Sequence, residues 1–194
     1  MTPLGAALRS IAGRLRRESA DFALVGGLAV SARTEPRFTR DIDVAVAART
    51  DGDAEALVRA LTQDGWVVSA ISEQEAVDRL ATVRLEPPGE IETSAVVDLL
   101  FASSGIEAEL ARDAEQLEVL PEVVVPVATT AGLIVLKALA AGPTRPQDEV
   151  DLAALIAVAT DTDRDAARRL ATLVVERGFH RGRDLAAELT DRLP

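Results

Sequence analysis

Apolar residues near the amino terminus, Leu4, Leu8, Ile11 and Leu15, recur at intervals of three and four, which predicts a helix with one buried face. Residues 22–25 form an unbroken apolar run that ends in Gly26 and Gly27 and leads into LAVSART and a turn at Glu35 and Pro36, the order strand, glycine turn, helix. The period then changes to two. In RFTRDIDVAVA, Ile42, Val44 and Val46 alternate with Asp41, Asp43 and Ala45, as a strand requires. A turn at residues 51–53, with Asp53 as the cap, opens a helix through about Gln63 that Gly65 closes. WVVSAI reads as a strand and residues 73–80 as a short helix. ATVRLEP and SAVVDLLFA read as two strands joined by a hairpin-like connection through Pro87, Pro88 and Gly89. The chain is helical again over 106–113, extended in EVVVPVA, and helical in TTAGLIVLKALAAG until Gly142 and Pro143 stop it. Three more helices are predicted, over 148–159, 163–177 and 181–193, with apolar residues such as Leu152, Leu155 and Ile156 at helical spacing. The fold class is α/β (α+β), with a mixed-sheet domain over residues 1–120 and a helical bundle over 121–194.

Composition narrows the chemistry. Of the 194 residues, 48% are apolar and 27% charged, ordinary globular values that exclude disordered and fibrous classes. The absence of cysteine excludes disulfide scaffolds, thiolate metal sites and thiol nucleophiles, and suits a reducing compartment such as the cytoplasm. A single histidine, His180, excludes multi-histidine zinc sites and reads as structural or exposed. What remains is carboxylate chemistry and, with it, hard cations such as Mg²⁺. The longest apolar tract, residues 119–141, is broken by Pro121, Glu122, Pro126 and Lys137, so no membrane span is expected. The basic amino terminus could pass for a transit peptide, but its helical spacing favours a first helix of the fold. Net charge is −11. Residues 1–40 hold seven arginines against three acids, a local +4 that leaves −15 for the rest, so a polyanion would be met by that first segment. The last helices carry Arg164, Arg168, Arg169, Arg177, Arg181 and Arg183, but acids are as numerous as arginines from residue 161 onwards, so these read as a solvated helical surface.

Asp41 and Asp43, two apart on one strand, project from the same sheet face roughly 6.5–7 Å apart along the backbone. Alone, such a pair can be the polar side of an edge strand; with a cation between them it becomes a site for one or two Mg²⁺ ions. Asp98 interrupts the core-like run Val96, Val97, Leu99, Leu100 and Phe101, where an unpaired charge would cost several kcal/mol. It is therefore salt-bridged, at a strand end, or a metal ligand. Gly26 and Gly27 form either a tight turn or a place where backbone N–H groups approach a phosphate at a helix start. Arg37, Thr39 and Arg40 offer charged and hydroxyl contacts to a triphosphate.

The order GG, then RFTRDID, then VVDLL resembles the DNA polymerase β-like nucleotidyltransferase superfamily. The spelling R-x-T-x-D-I-D is similar to the AbiEii toxin branch and its MenT-type relatives, and so is LIVLKALAAG followed by RPQDEVDL, which supplies Lys137, Arg145, Asp148 and Asp151. The resemblance implies that Asp41, Asp43 and Asp98 are catalytic metal ligands, and that Gly26, Gly27, Arg37, Thr39, Arg40, Lys137 and Asp148 bind nucleotide, the last two also taking part in catalysis. Lys137, the only lysine among 21 basic residues, shares a helical face with Leu133, Ile134 and Ala141. It either snorkels to water or meets a phosphate or nucleobase. Asp148 and Asp151 form an acidic helix start whatever the function. The resemblance further implies Mg²⁺ as cofactor, NTP as co-substrate, the 3′ end of tRNA as acceptor and a cognate antitoxin as partner. The alternatives are a nucleotidyltransferase acting on an antibiotic or a protein, and a non-catalytic or antitoxin-like module retaining the fold.

Overall fold

The computed structural model describes residues 2–89 and 95–193. Thr2 opens the first helix, α1 (Pro3–Arg17): its hydroxyl accepts the Gly5 N–H at 3.2 Å, and proline follows in the first turn, where a missing N–H costs nothing. Leu8, Ile11 and Leu15 are buried, as their spacing requires. The wholly buried β1 (Phe22–Val25) leads into α2 (Gly26–Arg33), which is followed by β2 (Asp41–Val46) and α3 (Asp51–Gln63). Thr50, not Asp53, caps α3; Asp53 reaches back to the Thr50 N–H and completes a reciprocal capping box. The chain continues through β3 (Val67–Gln74), β4 (Arg79–Glu86), β5 (Val96–Leu100), α4 (Glu107–Arg112), β6 (Glu115–Leu120) and β7 (Val123–Val127). Four helices close it: α5 (Thr130–Ala140), α6 (Pro146–Val158), α7 (Asp161–Glu176) and α8 (Leu185–Arg192).

The strands form one mixed seven-stranded sheet in the order β3-β4-β5-β2-β1-β7-β6. The pairs β2–β5 and β1–β7 are parallel and the remainder antiparallel. Alternation sorts the two faces. Ile42, Val44 and Val46 of β2, Val97 and Leu99 of β5, and Val83 and Leu85 of β4 are all buried in the core, which leaves Asp41, Asp43, Asp98, Thr82 and Arg84 on the opposite face. The expected α/β class with a mixed sheet is the one observed.

Several elements differ from the sequence reading. Residues 73–80 are not a helix: β3 runs to Gln74, a turn with Asp78 at φ +50° follows, and β4 starts at Arg79. Helix-forming residues there yield to cross-strand pairing, which tertiary context decides. The polar-rich β6 was not expected as a strand, yet it pairs antiparallel with β7, and β7 pairs with β1. The boundary set at residue 120 thus falls inside a hairpin, and the sheet extends to Val127. The last helix starts at Leu185 rather than Arg181, because Arg181 and Gly182 hold positive φ and Asp184 supplies the cap. The β4–β5 pairing is as expected, but residues 90–94 of its connection, including Ser94 at the start of the predicted strand, lie outside the described residues. Among the described residues no helix is long and apolar enough to cross a membrane.

The cationic excess of the first forty residues goes largely into structure. Arg9 donates to the Glu122 carbonyl, Arg16 to that of Val124 and Arg14 to that of Ala60, while Arg33 donates to Val127 and Ala128 carbonyls and pairs with Glu115. These four arginines hold α1 against α3 and the β6–β7 hairpin, and α2 against the end of β7.

Candidate active site

One cleft of ≈ 570 Å³ opens between the polar sheet face and helices α2, α5 and α6. Its lining includes Gly26, Gly27, Arg37, Thr39, Asp41, Asp43, Asp98, Lys137 and Asp148. All but one of the residues that the resemblance assigns to catalysis or nucleotide binding therefore meet in one place. The exception is Arg40, whose guanidinium lies over the exposed Phe38 ring, 5.3 Å from its centroid, and which does not line the cleft. Extended backbone alternates side chains, so residues 37, 39 and 41 turn inward and 38 and 40 outward.

The carboxylates are brought together by register. Asp43 is the direct parallel partner of Asp98, and Asp41 stands two residues earlier on the same face. Asp43 is pushed up to about 6, first by burial and then by the charges of Asp98 and Asp41; Lys137 and Arg84 only partly offset this. Arg84, on the neighbouring β4, donates from Nε and Nη2 to the two oxygens of Asp98 at 2.8 and 2.7 Å. This fork engages both Asp98 oxygens, and among the described residues no three acids converge as a finished cation cage. The donor set nonetheless suits a hard divalent cation: three carboxylates on one face, mutually repelling, with a guanidinium drawn in as counter-ion.

Gly26 has no room for a side chain. A Cβ there would lie 1.9 Å from Asp43 Oδ2, and its φ is +64°. A Cβ at Gly27 would meet Arg37 Nη2 at 2.8 Å and Thr39 Oγ1 at 3.0 Å. The glycine pair thus lets the start of α2, which carries no side-chain cap, approach the acidic strand closely.

On the opposite wall, Lys137 is buried and its Nζ contacts Asp148 Oδ1 at 2.6 Å and Asp151 Oδ2 at 2.8 Å. Asp151, 2% exposed, also receives Arg37 through Nε at 2.8 Å and Nη2 at 2.7 Å, and Gln147 Nε2 at 3.0 Å. Burial alone would raise its pKa, but bonds from Arg37, Lys137 and Gln147 outweigh that and hold it below the ordinary carboxylate range. Lys137 therefore does not snorkel; it is fixed in the cleft by acids from α6.

Arg84 and Arg181 are cleft residues that the sequence reading did not assign to the site. The signal for Arg84 was its place between Val83 and Leu85, which puts it on the same face as its cross-strand partner Asp98. Arg181 carried a weaker one, a position between Gly178 and Gly182 that marks a turn rather than a helix.

A mixed sheet bearing these carboxylates beside a glycine-led helix, with a lysine across the cleft, defines a nucleotidyltransferase fold. Solved structures bear this out at the level of fold. An antigenic nucleotidyltransferase-like protein from Paracoccidioides brasiliensis is 16% identical, with 96% of this chain and 92% of that one covered and a TM-score of 0.53. The antibiotic-resistance factor ANT(2″)-Ia is 18% identical, with 97% and 91% covered and a TM-score of 0.51. The lincosamide antibiotic adenylyltransferase LnuA, solved with lincomycin, is 13% identical, with 79% and 97% covered and a TM-score of 0.50. No curated protein matches the chain by sequence. Residues 13–194 match the family described as nucleotidyl transferase AbiEii toxin, type IV toxin–antitoxin system, and the chain belongs to that family. It is a nucleotidyltransferase.

Proposed function

We propose that this enzyme moves a nucleoside monophosphate from an NTP to a hydroxyl at the 3′ end of tRNA, and that it acts in the cytoplasm as a toxin restrained by a cognate antitoxin. The observation that carries the reading is the register of Asp43 with Asp98, with Asp41 on the same face. Mg²⁺ held by Asp41, Asp43 and Asp98 would supply charge neutralisation of the phosphates and a lowered pKa for the attacking hydroxyl. The residues around it orient the reaction. Backbone N–H groups at the start of α2 face the incoming phosphates, and the Gly26 and Gly27 turn lets them approach. Thr39 and Arg37 line the same wall, and Lys137 offers a compact positive charge to the departing pyrophosphate. The bond from acceptor oxygen to the α-phosphorus forms, the α–β bridging bond breaks, and pyrophosphate leaves with the acceptor proton released.

The test is to incubate the protein with each α-labelled NTP, Mg²⁺ and either total cellular RNA or total cellular protein. Label in tRNA, at its 3′ end and abolished by a chelator, is the expected result. Label in protein alone, or in neither pool, would refute the tRNA assignment.

A further inference from the structure

The cleft has a cationic end that the reaction above does not use. Arg145 stands at the start of α6 and Arg181 in the turn between α7 and α8, and both line the cleft with Lys137. Lys137 is satisfied by two acids, but these two arginines are not. Among the described residues Arg145 reaches one carboxylate, Asp148, and only at 3.8 Å, with two-thirds of its side chain exposed. Arg181 donates a single hydrogen bond, to the Ser103 carbonyl at 3.2 Å.

Like charges are gathered here at a cost. Arg181 is lowered from the usual guanidinium range, first by burial and then by the neighbouring charges of Arg145 and Arg183. Arg183 is occupied: it pairs with Glu188 and donates to the carbonyls of Ala138, Leu139 and Ala141 at the end of α5. That clamp fixes the turn. Arg181 itself holds a left-handed backbone, φ +55°, a conformation that residues other than glycine rarely adopt. Arg181 is exposed to solvent, and a left-handed backbone that sets it in the cleft without a carboxylate partner among the described residues points to an anionic ligand there. In a chain of net charge −11, general attraction of polyanions does not account for the placement.

We infer that Arg145 and Arg181 form an anion subsite that receives a phosphate group of the substrates. Paired guanidinium forks match phosphate oxygens, whereas Lys137 supplies only a point charge. The phosphate comes either from the pyrophosphate end of the NTP or from a phosphodiester of the acceptor strand. The inference rests on the nucleotidyltransferase reading for the identity of the ligand, but not for the existence of the site.

The experiment separates the two. Inorganic pyrophosphate is titrated calorimetrically, in chelator, into the wild type, Arg145→Gln, Arg181→Gln, the double variant and Arg181→Lys, with thermal melts confirming that each is folded. At least a tenfold loss of affinity in the double variant, with partial recovery in Arg181→Lys, is expected whether or not transfer is ever detected. Unchanged pyrophosphate affinity in the folded double variant overturns the subsite. Steady-state kinetics of the same variants then assign the source. A KM rise confined to NTP identifies the pyrophosphate end, and one confined to the RNA acceptor identifies the phosphodiester; a double variant with neither KM changed overturns a substrate role.

Discussion

Arg37 and Asp151 lie 114 residues apart in the chain and form a two-bond ion pair, Nε to Oδ1 at 2.8 Å and Nη2 to Oδ2 at 2.7 Å. The pair ties the segment before β2 to α6, and Asp151 passes the restraint to Lys137. Removing a buried partner leaves charge uncompensated, so Asp151→Ala is expected to cost about 3–5 kcal/mol in urea unfolding at neutral pH. A loss below about 1 kcal/mol would show the pair to be dispensable. Because the folded pKa of Asp151 is depressed, this stability is present above its unfolded value and is lost as pH falls through the folded one. The gap between wild type and variant should therefore close in acid.

Asp43 carries the opposite sign. Its folded pKa is raised from 3.8 to about 6, so the ionised carboxylate destabilises the fold above about pH 6 and has no such effect once both states are protonated, below about pH 4. Asp43→Asn, in chelator, is expected to raise the unfolding free energy at neutral pH by about 3 kcal/mol, with the gain vanishing below about pH 4. Melts over that pH range check it, and a variant less stable than wild type at neutral pH would contradict the assignment.

Much of this was legible in the sequence because two periods carry it. Alternation around Asp41 and Asp43, and the apolar run interrupted by Asp98, placed the carboxylates on strands; the GG turn and the lysine-bearing helix gave the opposite wall. What was not legible depends on contacts distant in sequence. Arg84 meets Asp98 only through the β4–β5 register, and β6 is a strand only because β7 and β1 extend the sheet beside it. Arg40 shares the motif with Arg37 and Thr39 but falls on the outer side of the same extended segment. The ends of α3 and α8 shifted because caps at Thr50 and Asp184, not the apolar pattern, set them.

Gly26 is expected to tolerate no side chain. Gly26→Ala places a Cβ 1.9 Å from Asp43 Oδ2 at a φ of +64°, and the backbone penalty alone is about 1–2 kcal/mol. In a double-mutant cycle with Asp43→Ala, part of the loss should be relieved, since the carboxylate is the nearest obstacle. Strict additivity of the two substitutions would show that the glycine does not serve the close approach to Asp43.

Arg84 competes with any cation for the oxygens of Asp98. Arg84→Ala is accordingly expected to bind Mn²⁺ several-fold more tightly than wild type, read by the loss of the free-ion paramagnetic resonance signal. Weaker or unchanged binding would mean that Asp98 does not serve as a cation ligand.

Transfer from NTP carrying radioactive phosphorus at the α-phosphate, compared with NTP carrying it at the γ-phosphate, tests the carboxylate site most directly. The α label should appear on the acceptor, the γ label should leave with pyrophosphate, and Asp43→Asn, shown to be folded by its melt, should label nothing. The γ label on the acceptor, or α-label transfer persisting in Asp43→Asn, would contradict nucleotidyl transfer at Asp41, Asp43 and Asp98.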